Sequence, residues 1–309
     1  MNWRVFTAYS VTIILWGSAF PGIKLGLESF SAEHLSALRL FIGAFALIIF
    51  AIIKKIQFPD IRDVPVIFLL GFLGFTVYHT ALSFGENDVT AGAASLLVTM
   101  TPIFSAILAT VFLKEKYSKI GWLGSIIALL GVAMISFGME GPISVLAVGA
   151  LLILIAALGE SFYFVFQTKY LEKYGFLPFT VYTIVAGSLF MVFFLPGTVA
   201  EISDASVSDI SAIVYLGLFP TVIPYFALAY VTSKVGASEA TSSLYLTPVV
   251  ALLISWLILS EIPTLLALVG GALTLIGVSL SSLKIGSDDS IRVNKKLRNL
   301  KEQNQGEKV

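Results

Sequence analysis

The groups that could do chemistry in this chain are few, and they stand inside long apolar runs. Glu160 is the one acid placed deep in such a run. With Tyr163 and Gln167 it follows spacings of three and four, which puts all three on one face of a helix. A carboxyl surrounded by hydrocarbon can bind a proton, pair with a cationic group on a ligand, or bond a neighbouring helix as the neutral acid. His79 belongs to a second stripe, Thr76, His79, Ser83 and Glu86, beside Tyr78. It reads as a contact for substrate or proton, or as a neutral ring holding two helices together.

A third stripe, Ser95, Thr99 and Pro102, has a counterpart in Thr241, Tyr245 and Pro248. Proline removes one helical hydrogen bond and frees a carbonyl one turn back. In lipid that carbonyl needs a new partner, so Pro102 and Pro248 are expected to kink two helices around a polar cavity. The bland alternative is that the hydroxyls bond only their own backbone. Trp16 and Phe20 share a face of the first run, with Lys24 one turn on and Ser18 on the flank. Trp16 is a candidate for the cavity, and Phe20 reads as packing. Lys24 and Arg39 could draw an anionic group to an outer vestibule, or simply reach for the membrane surface.

The matching stripes belong to a longer repeat. Thr90–Glu115 recurs 146 positions later as Gly236–Glu261, with Thr101-Pro102 matching Thr247-Pro248. The same shift pairs Gly71 with Gly217, Gly124 with Gly270, Gly131 with Gly277, and His79 with Tyr225, which is flanked by Thr221 and Thr232. Glycines seven apart on one face allow close helix packing within the bundle, or a seam between two copies of the chain.

The elements that must carry these groups are membrane spans. Of the 309 residues 57% are apolar and 12% charged, with a mean hydropathy of +0.94. Soluble domains carry about 25% charged residues, so most of this surface must face lipid. Ten runs approach the roughly 20 apolar residues a crossing helix needs: near 5–24, 34–53, 64–84, 90–113, 119–138, 146–168, 177–196, 209–232, 237–260 and 263–283. The first is expected to be a retained span rather than a signal peptide, because no small-x-small cleavage site follows it. With both termini in the cytoplasm, 17 of the 19 basic residues fall on the inner side, and Lys24 and Arg39 are the two that do not. Acids, among them Glu86, Asp88, Glu140, Glu201 and Asp204, fall outside.

Five spans per repeat is odd, so the second copy is expected upside down relative to the first. This predicts an all-α membrane fold in two inverted five-helix repeats, 1–140 and 141–284, with a polar cytoplasmic tail at 285–309. Such a molecule can open to either side by nearly equivalent motions.

Taken together, LWGSAFPGIKLGL, HLSALRLFIGA, TAGAASLLVTMTPIFSAILATVFLKEK and IGWLGSIIALLGVAMI, with the second-half ASEATSSLYLTPVVALLISWLILSEIPT and GGALTLIGVSL, resemble the drug/metabolite transporter superfamily. The likeness is to its EamA-type ten-helix permeases, over about residues 5 to 283. It implies a central cavity between inverted halves, cytoplasmic termini, and transport of small metabolites, often export of amino acids or related compounds. Trp16, Arg39, Pro102, Glu115, Pro248 and Glu261 match the family pattern by position, the two acids as helix-end markers.

The expected function is therefore secondary transport in the cell membrane, with facilitated diffusion or exchange as the alternative. No phosphate-binding G-x-x-x-x-G-K-[ST] loop is present to supply ATP drive. No H-E-x-x-H or G-x-S-x-G motif and no cysteine supports an intramembrane enzyme or a Cys-based metal site. A receptor that binds without transporting gains nothing from two-way symmetry. The expected partners are a small-molecule substrate and the bilayer, with a homodimer as an option and no nucleic acid. No cofactor, metal or catalytic residue is expected. Tyr78, Tyr163, Tyr225 and Tyr245 with Trp16 hint at a substrate with an aromatic or apolar part.

Overall fold

The computed structural model describes residues 3–112, 119–137, 143–235, 240–241 and 243–282. Glu115, Glu140 and the tail 285–309 lie outside the described residues, as do the side chain of Tyr245 and the expected boundary near residue 140. The described residues are helical and contain no strand. Long apolar stretches meet in lipid no partner for a free backbone N–H, and a helix satisfies each one internally.

The segments are α1 (Trp3–Gly26), α2 (Ala32–Lys54), α3 (Val64–Asp88), α4 (Ala91–Phe112), α5 (Lys119–Phe137), α6 (Ile143–Phe166), α7 (Phe176–Phe194), α8 (Val207–Lys234), α9 (Thr247–Leu259) and α10 (Leu265–Ser282). Seven of them are long and apolar enough to cross a membrane, and α5, α9 and α10 are shorter apolar helices. Phe45, Ile52, Phe193 and Leu257 are more than half exposed. Such a surface belongs against acyl chains rather than water, and the chain is a multi-pass membrane protein.

Close packing falls where the sequence places small residues, and it falls in pairs. A Cβ on Gly131 would lie 2.4 Å from Thr274 Oγ1 and 2.5 Å from the Gly270 carbonyl. A Cβ on Gly277 would lie 2.4 Å from the Ala128 nitrogen and 2.5 Å from the Gly124 carbonyl. Each contact maps onto the other under the 146-residue shift. This glycine face of α5 and α10 is therefore spent inside the chain. Likewise Gly71 closes on Thr183 and Gly187 of α7, while Gly217 closes on Arg39 and Ile42 of α2.

Both Thr-Pro sites interrupt their helices. Regular helix runs from Ala91 to Val98, loosens at Thr99 and Met100, and resumes at Thr101. In the second copy a 3₁₀ turn, Ser243–Leu246, precedes Thr247. Proline at the second position of each new segment has no N–H to join it to the preceding turn. In α3 the stretch Phe72–Val77 winds as a π-helix immediately before Tyr78 and His79.

The ends of the bundle are stitched by polar contacts. At the end holding Lys54 and Lys55, Lys173 meets Asp63 at 2.5 Å, and Tyr174 also donates to Asp63. At the opposite end His34 meets Glu201 at 2.8 Å, and Ser29 donates to Asp209.

Candidate functional site

Glu160 is carried to the middle of the bundle by α6 and is 2% exposed. Its Oε2 accepts from Thr101, the first residue after the break in α4, at 3.3 Å. Its Oε1 accepts from the Tyr225 hydroxyl of α8 at 3.4 Å. Among the described residues no lysine, arginine or histidine forms an ion pair with it. A carboxyl so placed is held by two hydroxyls and no cation. It is ready for a proton or for a positive group on a ligand.

The aromatic residues close around this acid. Trp16 stands edge-on to Tyr225 with ring centres 5.1 Å apart, and its Nε1 donates to the Pro220 carbonyl at 3.0 Å. Phe75 links Tyr163 at 5.0 Å and Tyr225 at 4.7 Å. His79 lies against Tyr78 at 5.0 Å, and among the described residues neither of its ring nitrogens has a hydrogen-bond partner. Its other ring contacts are Phe75 of its own helix at 6.4 Å and Tyr225 of α8 at 6.5 Å.

Trp16, Tyr78, Ser95, Thr99, Thr101 and Glu160 line a cavity of about 30 Å³, closed by Phe20, Val98 and Pro102 on one side and Leu244 and Thr247 on the other. Both Thr-Pro breaks therefore face it. That volume holds a water or two and no metabolite. Ser95 and Thr99 donate to the carbonyls of Gly92 and Leu96, one turn back, and leave their lone pairs to the cavity. His79, Tyr163, Gln167, Tyr225 and Thr241 are all buried but do not line the cavity, and Gln167 lies just past the end of α6.

Sequence reasoning missed part of this arrangement. Thr101 was legible as half of a motif but not as a partner for Glu160. Phe75 and Leu244 are apolar residues in apolar runs and carry no signal. Phe20, read as packing, is buried in the core and also lines the cavity. Arg39 does not lie at a rim: it is 2% exposed, and its Nε donates to Thr221 Oγ1 of α8 at 2.7 Å. Lys24 Nζ donates to the carbonyls of Glu86 at 2.6 Å and Val89 at 3.3 Å, where it closes the C-terminal end of α3.

A helical membrane bundle with a buried acid, aromatic walls and two facing helix breaks has the makings of a small-molecule transporter. The chain matches the EamA-like transporter family over residues 4–137 and 147–283, and it belongs to that family. It is 55% identical over 288 residues to the uncharacterized transporter YdfC of Bacillus subtilis, covering 93% of this chain and 94% of that one. It is 37% identical over 273 residues to a probable terminal-alkyne amino-acid exporter of Streptantibioticus cattleyicolor, covering 88% and 91%. The uncharacterized inner membrane transporter YedA of Escherichia coli is 28% identical over 251 residues, with 81% of each chain covered. A crystal structure with 17% identity superposes with a TM-score of 0.60 over 92% of this chain and 98% of that one, a likeness of fold. The protein transports small molecules across a membrane.

Proposed function

We propose that the chain is a secondary transporter, driven without ATP, that exports amino acids or related small metabolites by alternating access. The observation that carries this reading is Glu160, buried with no ion-pair partner among the described residues at a cavity that both Thr-Pro breaks face. Ten spans in two inverted five-helix repeats, 1–140 and 141–284, with cytoplasmic termini, are part of the proposal. Equivalent glycine contacts 146 residues apart support it, and so does the segregation of basic residues along the sequence.

The central cavity is too small for a metabolite, so admission requires the segments around Thr101 and Thr247 to separate. Helix segments joined by a break rather than a full hydrogen-bond ladder can do this at low cost. Trp16, Tyr78, Tyr225 and Tyr163 would then offer aromatic faces, with Glu160 and His79 as the polar contacts. The amino-acid assignment draws on the likeness to the probable terminal-alkyne amino-acid exporter of Streptantibioticus cattleyicolor and on the pairing of a buried acid with an aromatic wall.

The test is efflux from proteoliposomes preloaded with a panel of amino acids and related metabolites. Protein-dependent efflux of an amino compound in the absence of ATP is expected. Equal retention in protein-free liposomes across the whole panel would overturn the reading.

A further inference from the structure

A larger cavity, about 210 Å³, lies near one end of the bundle, between the start of α4, the end of α9 and the start of α10. Its polar lining is one-sided. Glu261 and Asp88 bring carboxylates, Ser255, Thr90 and Thr264 bring hydroxyls, and among the described residues no basic side chain lines it. Lys24 stands nearby but is engaged with the carbonyls of Glu86 and Val89. The buried Glu86 lies behind, within electrostatic reach of Lys24, Arg39 and Glu261.

Glu261 looks at first like a cap for α4, since its carboxylate accepts from Ala91 N at 3.3 Å and from Gly92 N at 3.4 Å. These long bonds occupy two of the roughly four acceptor positions of a carboxylate. A cap alone does not account for Ser255. That side chain is 1% exposed, lines the same cavity, and among the described residues its hydroxyl has no partner. A buried, unpartnered hydroxyl and a carboxylate with spare lone pairs that line one cavity make an acceptor set for an N–H₃⁺ group. Leu96, Leu146 and Leu252 supply the apolar wall for the carbon body of such a ligand.

The cavity is also placed on a route. Thr90 and, along α4, Gly92, Ala93 and Leu96 line it, while Ser95, Val98, Thr99, Thr101 and Pro102 line the central cavity. Along α9, Thr247 lines the central cavity while Leu252 and Ser255 line this one. Along α9 five to eight residues, about 8–12 Å, lie between the two linings, and along α4 the linings meet at Ser95 and Leu96.

We propose that this cavity is a second binding site, for the primary ammonium group of a small amine or amino acid, with Glu261 and Ser255 as its acceptors. It is a station for substrate moving between the central cavity and this end of the bundle. The station role rests on the amino-compound reading above; the preference for an ammonium group does not.

The chain has no cysteine, so a single thiol reports on the site alone. Leu252→Cys, purified in lipid nanodiscs, is reacted with a maleimide in the presence of n-pentylamine, L-norleucine or hexanoate. Ala267→Cys, in the same cavity, serves as a second reporter if the first variant does not fold. Pentylamine and norleucine are expected to slow labelling several-fold, and hexanoate to leave it unchanged. Glu261→Gln should remove the protection and Ser255→Ala weaken it, with melting temperatures retained. Equal protection by hexanoate, or protection that survives Glu261→Gln, would overturn the site. Norleucine efflux from proteoliposomes separates the two proposals. Efflux without protection sinks the site and leaves the transport reading standing. Protection without efflux keeps the site and sinks its role as a station.

Discussion

Tyr225 and Glu160 meet at the centre of the bundle, the hydroxyl of α8 donating to Oε1 of α6 at 3.4 Å, while Thr101 of α4 holds the other oxygen. One carboxyl thus joins three helices and faces the cavity. Glu160→Gln keeps an acceptor of similar shape but cannot take up a proton. It is expected to abolish proton-driven accumulation while sparing substrate counterflow, measured in proteoliposomes with and without a pH gradient. Unchanged accumulation would sink proton coupling through Glu160 and favour facilitated diffusion. Glu160→Ala leaves two buried hydroxyls without a partner and should destabilise the fold by about 1–3 kcal/mol for each.

His79 separates function from packing in a different way. Its ring nitrogens bond nothing among the described residues. An apolar ring of similar shape loses no hydrogen bond there, so His79→Phe should change stability by less than about 1 kcal/mol. If the histidine serves the substrate or the driving proton, the same variant loses transport at an unchanged melting temperature, and His79→Gln spares counterflow but not accumulation. Full transport by His79→Phe would make the residue a packing ring only.

The bundle and its break points were legible in the sequence because they rest on local chemistry. Apolar length makes a span, and Thr-Pro makes a break. Glycines seven apart on one face make a close contact, as Gly124 and Gly131 do against Gly277 and Gly270. Glu160 could be singled out because an acid deep in an apolar run needs a reason. Arg39 was misplaced because its distance from the end of a run says nothing of what stands opposite, and the Thr221 hydroxyl that receives it comes from 182 residues away. The collapsed size of the central cavity and the larger one beside Glu261 depend on how side chains from four or more segments meet. No local pattern encodes that.

The glycine contacts allow a stability test. A methyl group on Gly131 would strike the Gly270 carbonyl and the Thr274 nitrogen at 2.5 Å, backbone atoms that cannot swing aside. Gly131→Ala and Gly277→Ala should each cost about 1–3 kcal/mol by overpacking. The readouts are melting temperature and the monodisperse fraction after detergent extraction. Gly22→Ala is the control, because the neighbouring Leu216 side chain at 3.0 Å can move. Equal loss in all three variants would show that the α5–α10 seam has no special role.

One contact at the surface is pH-sensitive. Hydrogen bonds from Lys173 and Tyr174 hold the Asp63 carboxyl below its usual range. A carboxyl depressed in the folded protein contributes stability above its unfolded pKa, about 3.9, and loses it as the pH falls through the folded value. The melting temperature of the native chain should therefore exceed that of Asp63→Asn by a constant amount from neutral pH down to about 5, and the gap should close below about 4. The difference will be small, because Lys173 is 46% exposed and such pairs are screened. A gap that widens on acidification would contradict the pairing.

Orientation can be read directly because the chain carries no thiol of its own. Phe58, 99% exposed, lies beyond the end of α2 that holds Lys54 and Lys55, and Val207, 83% exposed, lies at the opposite end, beside Asp209. The positive-inside rule places Phe58 in the cytoplasm and Val207 outside. In intact cells a membrane-impermeant maleimide should therefore label Val207→Cys and spare Phe58→Cys until the cells are opened. The same rule puts the Glu261 cavity on the outer side, since α3 and α9 both end there. The reverse labelling pattern would invert the whole assignment and make that cavity an entry site for substrate leaving the cytoplasm. Labelling of both positions in intact cells would point instead to two populations of opposite orientation.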